Sequence, residues 1–319
     1  MKAYRAQNAS ITLSVLVLIC IAGCGKSSHA TNTPGGGNTT AGSQGGSDPA
    51  NTAAKSNKLT ITFGIYQTDK PTEMFKKFQP MTSHLADSLS VALKQPTAVE
   101  LKILRSYEDG LDAIVDGTVD FMRLGPASYV LANQRNPAVN LLAMELKKGK
   151  KRFKGVIVVH ADSQIKTLVD LKGKSFAFGD ENSTIGRYLV QDELVQAGIH
   201  AKDLSKFDFL GRHDKVAKAV AIREFDAGSC KMSTFKKANS NGQLRVLVEF
   251  ENVTKPWVAK SGMKSDIVDA LRNALLETKN EPALASLKAS GFSPAGDDDY
   301  SLVRKGMKRA ESFGNVSAR

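Results

Sequence analysis

Three cysteines, one tryptophan and five histidines are all that a chain of 319 residues holds of the side chains that build most redox, stacking and metal chemistry. Cys20 and Cys24 sit in the apolar amino-terminal stretch, which leaves Cys230 alone in the rest of the chain. No internal disulfide is therefore expected, and the core must hold the fold unaided. His29, His84, His160, His200 and His213 are scattered, and no His, Cys or carboxylate set has metal-ligand spacing. Neither is there a nucleophile–base pair of the kind covalent catalysis needs. No metal, no cofactor and no enzymatic activity are expected. Aromatic residues make up only 7%, and no dense Lys/Arg block carries them interleaved. That pattern speaks against a nucleic-acid partner.

What is present is ordinary globular material, 41% apolar and 24% charged, in enough length for two modest domains or one large one. Basic residues outnumber acidic ones by 44 to 32, a formal charge of +12. Such an excess suits nucleic acid, an anionic membrane surface or a small anionic ligand. The longest basic cluster, "ELKKGKKRFKG" at 145–155, reads as a solvated loop between two strands.

The amino terminus is more decisive. Lys2 and Arg5 precede the apolar stretch "ITLSVLVLICIAG", which has signal-peptide length and falls short of the roughly 20 residues a bilayer span needs. It ends in Ile21-Ala22-Gly23-Cys24, which resembles the lipobox of bacterial lipoproteins. That resemblance implies a signal peptide over 1–23, lost together with Cys20, and a lipid on Cys24. Residues 24–57 are Gly, Ser, Thr, Asn and Ala with almost no large apolar side chain, and read as a flexible tether.

Past the tether, short β-rich runs alternate with helical patterns. "KLTITFGIYQT" reads as a strand, and "TEMFKKFQPMTSHLADSLSVAL" as a helix with Met74, Phe75, Phe78, Met81, Leu85 and Leu89 on its apolar side. Further strands are expected in "AVELKIL", "VDFMRLG", "VNLLAME", "GVIVVHA", "SFAFGD", "FDFLG", "DAGSCKM" and "LRVLVEFE", with helices between most of them and a mostly helical 264–319. This alternation predicts an α/β layer fold with parallel sheets.

Three loops carry candidate chemistry. In "GDENSTIGRYLV" (179–190), Ser183 and Thr184 stand at a helix start, where free N–H groups and the helix dipole favour negative charge. Two hydroxyls there suit a plain cap or an anion, and Gly186 would let a ligand approach the backbone. In "LGRHDKVAKAV", His213 starts a helix at the carboxyl end of a strand, placed either to donate to an anion or to face solvent. In "VDFMRLGPASYV", Gly125-Pro126 opens a helix and Ser128 adds a hydroxyl. Arg187, one turn into the first of these helices, either reaches an anion or is solvated.

Taken in order, "VDFMRLGPASYVLA", "DLKGKSFAFGDENSTIGRYLV", "FLGRHDKVAKAV" and "EFDAGSCKM" resemble the periplasmic phosphate/phosphite/phosphonate-binding proteins of ABC transporters. The resemblance spans roughly 58–305. It implies a two-lobed type II periplasmic-binding-protein fold with a ligand cleft between lobes. The first lobe would be 58–156 plus 249–319, and the second 157–248. It further implies that Ser183 and Thr184 bind a tetrahedral oxyanion, that His213 matches the family's ligand histidine, and that Tyr107 in "SYEDG" matches its tyrosine. Members that bind aminoalkylphosphonates place acidic groups where this chain has Ser233 and Lys255. Trp257 is either packing near the hinge or a cleft wall. The implied function is capture of a small oxyanion for an ABC permease by a lipid-anchored protein of the cell envelope. A sensory receptor of the same fold, signalling to a membrane partner, is the alternative.

Overall fold

The computed structural model describes residues 58–68 and 70–314; the signal peptide, Cys24 and the tether lie outside them. Eleven strands among these residues form two sheets. The first contains β1 (Leu59–Tyr66), β2 (Thr97–Leu104), β3 (Phe121–Arg123), β4 (Asn140–Leu146), β10 (Pro256–Ala259) and β11 (Gly291–Ser293), in the order β11-β4-β10-β3-β1-β2. The second contains β5 (Arg152–His160), β6 (Ser175–Phe178), β7 (Lys206–Phe209), β8 (Ala227–Lys231) and β9 (Leu244–Val253), in the order β7-β6-β8-β5-β9. The helices are α1 (Pro71–Ala92), α2 (Tyr107–Val115), α3 (Pro126–Arg135), α4 (Leu189–Gln196), α5 (His213–Ala221), α6 (Met232–Ala238), α7 (Ser265–Leu276), α8 (Glu281–Leu287) and α9 (Ser301–Ala310).

Neither sheet is purely parallel, as the alternation of strands and helices had predicted. β1 pairs in parallel with β2 and β3, and β6 with β7 and β8. β10 runs antiparallel to β3 and β4, and β5 antiparallel to β8 and β9. The reason is that the chain crosses between the sheets twice. It leaves the first sheet after β4 and returns after β9, so the strands nearest the crossings enter against the parallel set. The two crossings are tied together, since the Thr254 N–H donates to the Lys151 carbonyl at 2.9 Å and the Glu145 N–H to the Lys255 carbonyl at 3.0 Å.

Both sheets are covered on both faces, as buried strands require. In the first, Ile61, Phe63, Phe121 and Trp257 face α1, α7 and α8, whereas Tyr66, Met122 and Val258 face α2, α3 and α9. Trp257 is core packing: fully buried, its ring lies 4.9 Å from that of Phe63 and nearly coplanar with it. Helix α1 buries Met74, Phe78, Met81, Leu85 and Leu89, but Phe75 stays 53% exposed because it sits one residue off that stripe. In the second sheet Ile157 and Val159 face one cluster, Val156 and Val158 the other. Cys230 is buried there, and desolvation pushes its thiol up to about 12.

Candidate functional site

The carboxyl ends of the parallel strands in both sheets deliver chain to the same place. β2 leads through Ser106 into α2, and β3 leads through Gly125 into α3. β6 leads into the Ser183 loop, β7 leads to His213, and β8 ends at Lys231. Between these ends lies a small cavity of about 20 Å³, counted as the space open to the centre of a water-sized group. One water needs roughly 10–15 Å³ on that measure, so the site takes a compact ligand. Tyr107, Ser183, Thr184, His213 and Lys255 all line it.

The Ser183 loop is shaped by backbone contact. Its oxygen accepts from the Gly186 N–H at 3.0 Å, capping a single π-helical turn, Thr184–Tyr188, that runs on into α4. Gly186 serves a different purpose from the one its position suggested. A Cβ there would stand 2.8 Å from Gly179 Cα, so the two glycines close the loop on the end of β6 rather than opening the backbone to a ligand. Thr184 reaches the other sheet's elements, its Oγ1 accepting from the Ala127 N–H in the first turn of α3 at 2.9 Å. Gly125 is needed for this approach, because a Cβ would lie 2.9 Å from the Tyr66 hydroxyl, which already accepts the Gly125 N–H at 2.7 Å.

Tyr107 stacks on Tyr66 with ring centroids 3.9 Å apart. Burial, reinforced by Tyr66 and Asp180, holds its hydroxyl well above the ordinary tyrosine range, so it remains a neutral donor beside Ser183. His213 is held neutral as well: burial and then the Lys231 and Lys255 charges push its pKa far down. Its Nδ1 is buried and has no hydrogen-bond partner. A polar atom left in that state calls for one.

Ser128 and Ser233 are placed apart from these groups. The Ser128 hydroxyl is fully buried behind the wall, 3.4 Å from the Tyr66 hydroxyl, and Ser233 is exposed on α6. Arg187 neither lines the cavity nor stands free in solvent. Its Nη1 donates to the Glu181 carbonyl at 2.8 Å, and its guanidinium lies over the Tyr188 ring.

Six further residues line the cavity that the sequence reading did not single out: Gly125, Pro126, Phe153, Ile185, Lys231 and Asn252. Lys231 had a usable signal, as the last residue of a strand that ends among the loop motifs. Phe153 and Asn252 had none, since they face each other only through the pairing of β5 with β9. Burial and the surrounding cations push Lys231 down to about 8 and Lys255 further. Behind them lies an ion pair. Burial opposes the charge on Glu145, but Arg123 outweighs it, with help from Lys147 and Lys255, and holds the carboxyl at about 2. Arg123 bonds both carboxylate oxygens, its Nη2 at 2.9 Å, and the Trp257 Nε1 donates at 3.2 Å.

The arrangement is one of neutral donors, helix starts and excess positive charge around a small hole, with no acidic side chain in the lining. It suits a compact anion. Comparison with known proteins agrees. A family model described as the periplasmic substrate-binding protein of phosphonate ABC transporters matches residues 63–300. The chain is 27% identical over 224 residues to a probable ABC transporter phosphite binding protein, PhnD1, of Prochlorococcus marinus, covering 66% of this chain and 73% of that one. It is 23% identical over 290 residues to the phosphate-import protein PhnD of Mycolicibacterium smegmatis, covering 81% and 88%. The solved structure of P. marinus PhnD1 in complex with methylphosphonate superposes with a TM-score of 0.70 at 22% identity, over 79% of this chain and 98% of that one. Three quarters of the chain thus carry the family's pattern, and it belongs to the phosphonate periplasmic substrate-binding protein family of ABC transporters.

Proposed function

We propose that this substrate-binding protein captures a compact tetrahedral oxyanion of phosphorus in the cavity between its two sheets and delivers it, chemically unchanged, to an ABC permease. The observation that carries the reading is the convergence of Tyr107, Ser183, Thr184 and the unpartnered His213 on one cavity without a carboxylate. Neutral donors fixed at helix starts bind an oxyanion without the cost of ordering new ones. Lys231 and Lys255 add positive charge; Ser128 acts through Tyr66, and Ser233 takes no part. Residues 58–156 with 249–319, and 157–248, act as the two closing lobes. The Thr184–Ala127 bond and the contact between Asn182 and Glu108 at 3.4 Å join groups that separate on opening. A ligand that bridges them shifts the balance toward the closed form.

Two tests follow. Calorimetric titration of the full chain with phosphate, phosphite, methylphosphonate and sulfate should give saturable binding of at least one phosphorus oxyanion. His213→Ala should weaken it roughly 10- to 100-fold, the scale of one hydrogen bond to a charged group. Undiminished binding by that variant removes His213 from the site.

The second concerns the anchor. We place the protein in the cell envelope, held by a lipid on Cys24 and a tether over 24–57. Cys24→Ser should abolish lipid labelling and release the protein in soluble form, because each buried acyl CH₂ contributes about 0.8 kcal/mol to membrane attachment. Unchanged membrane association refutes the lipidation.

A further inference from the structure

Resting on the oxyanion reading, the charge layout points to a narrower class of ligand: we infer that the cavity is shaped for a phosphonate bearing a second acidic group, such as a phosphonocarboxylate, rather than for a simple alkyl- or aminoalkylphosphonate. The cavity has two electrostatically different ends. Tyr107 and Ser183 lie beside Tyr66 and feel the negative charge of Asp180. Lys231 and Lys255 feel instead Arg123, Lys77 and Glu145, and Lys231 feels Lys147 as well. The hydroxyl end is therefore built from neutral donors, and the other end from ammonium groups.

The positive end is not neutralised by the protein. Among the described residues, neither Lys231 nor Lys255 has a carboxylate within ion-pair distance. Glu145 is the one acid in their surroundings, and it is already engaged by Arg123, by Trp257 and, at 3.6 Å, by Lys147. It is fully buried and does not line the cavity. Keeping ammonium groups in a half-buried hole is costly without a counter-charge. His213, whose charge state answers to both lysines, adds an unpartnered ring nitrogen at the same end. A phosphonate held at the hydroxyl end leaves this second end unmatched unless its substituent is itself anionic. An amine substituent would meet like charge there. The small volume keeps the two acidic groups close, one or two carbons apart.

The test is calorimetric titration of the full chain in detergent with methylphosphonate, phosphonoacetate and 2-aminoethylphosphonate. Phosphonoacetate should bind at least about tenfold tighter than methylphosphonate, the scale of one added hydrogen bond to a charged group. 2-Aminoethylphosphonate should bind weakest. In Lys255→Met and in Lys231→Met the preference for phosphonoacetate should shrink, while methylphosphonate binding changes less. Methylphosphonate or 2-aminoethylphosphonate binding as tightly as phosphonoacetate overturns the inference and leaves the oxyanion reading standing. Failure of all three, and of phosphate and phosphite, overturns both. The comparison among ligands uses the unaltered chain, so it decides the matter even where a lysine variant does not fold.

Discussion

Replacing Ser183 with alanine and Thr184 with valine together is expected to abolish ligand-induced stabilisation while leaving the unliganded protein nearly as stable as before. A ligand present at a hundredfold excess over its dissociation constant stabilises by about 2.7 kcal/mol, a shift that a thermal melt resolves easily. The two changes act differently. Loss of the Ser183 hydroxyl leaves the Gly186 N–H without its acceptor at 3.0 Å, a capping loss of about 1 kcal/mol. Thr184→Val keeps the shape but removes the oxygen that accepts from Ala127, and with it the contact that joins α3 to the turn opposite. The unliganded melt should therefore fall by no more than about 1–2 kcal/mol, and the ligand shift should vanish. A double variant that still gains its full shift would show that the pair is only a helix cap.

Glu145→Ala should be the most destabilising single change near the site, by roughly 3–5 kcal/mol, because it strands the buried Arg123 guanidinium and removes the acceptor for Trp257. Glu145→Gln, which keeps the volume and one acceptor oxygen, should cost less. The pH dependence has a definite sign. The carboxyl is held at about 2 in the folded protein, below its unfolded value near 4.3. The stability it contributes is therefore fully present above that unfolded value and is lost as pH falls through the range down to about 2. Denaturant midpoints compared at about pH 7 and about pH 3 should show the wild type losing more stability than Glu145→Ala across that interval. Equal losses would mean that Glu145 is not the group responsible.

Much of this was visible in local patterns, and the reasons are local. The strand and helix elements follow from periods of two and 3.6, and α3 starts where Pro126 follows Gly125. The loops that line the cavity were legible because, in α/β folds, ligand groups gather at the carboxyl ends of strands, and strand ends can be read from the chain. Phe75 marks the limit of that method: it is apolar and within the helix, yet its angular position leaves it exposed.

By itself the sequence determined the α/β class, the loop motifs with Tyr107, Ser183, Thr184 and His213, and the family. Each of these depends on residues close together along the chain. The tertiary structure decided what pairing over long distances brings together. β10 inserts antiparallel between β3 and β4, which puts Trp257 beside Arg123 and Glu145 and turns Trp257 into core. The pairing of β5 with β9 delivers Phe153 and Asn252 to the cavity, and the crossing after β9 delivers Lys255. Contact between Gly179 and Gly186 gives the second glycine a packing role that its place in the motif concealed. Such contacts depend on register between strands up to a hundred or so residues apart. Hydrophobic periodicity fixes which face of a strand is buried, but not which strand lies beside it.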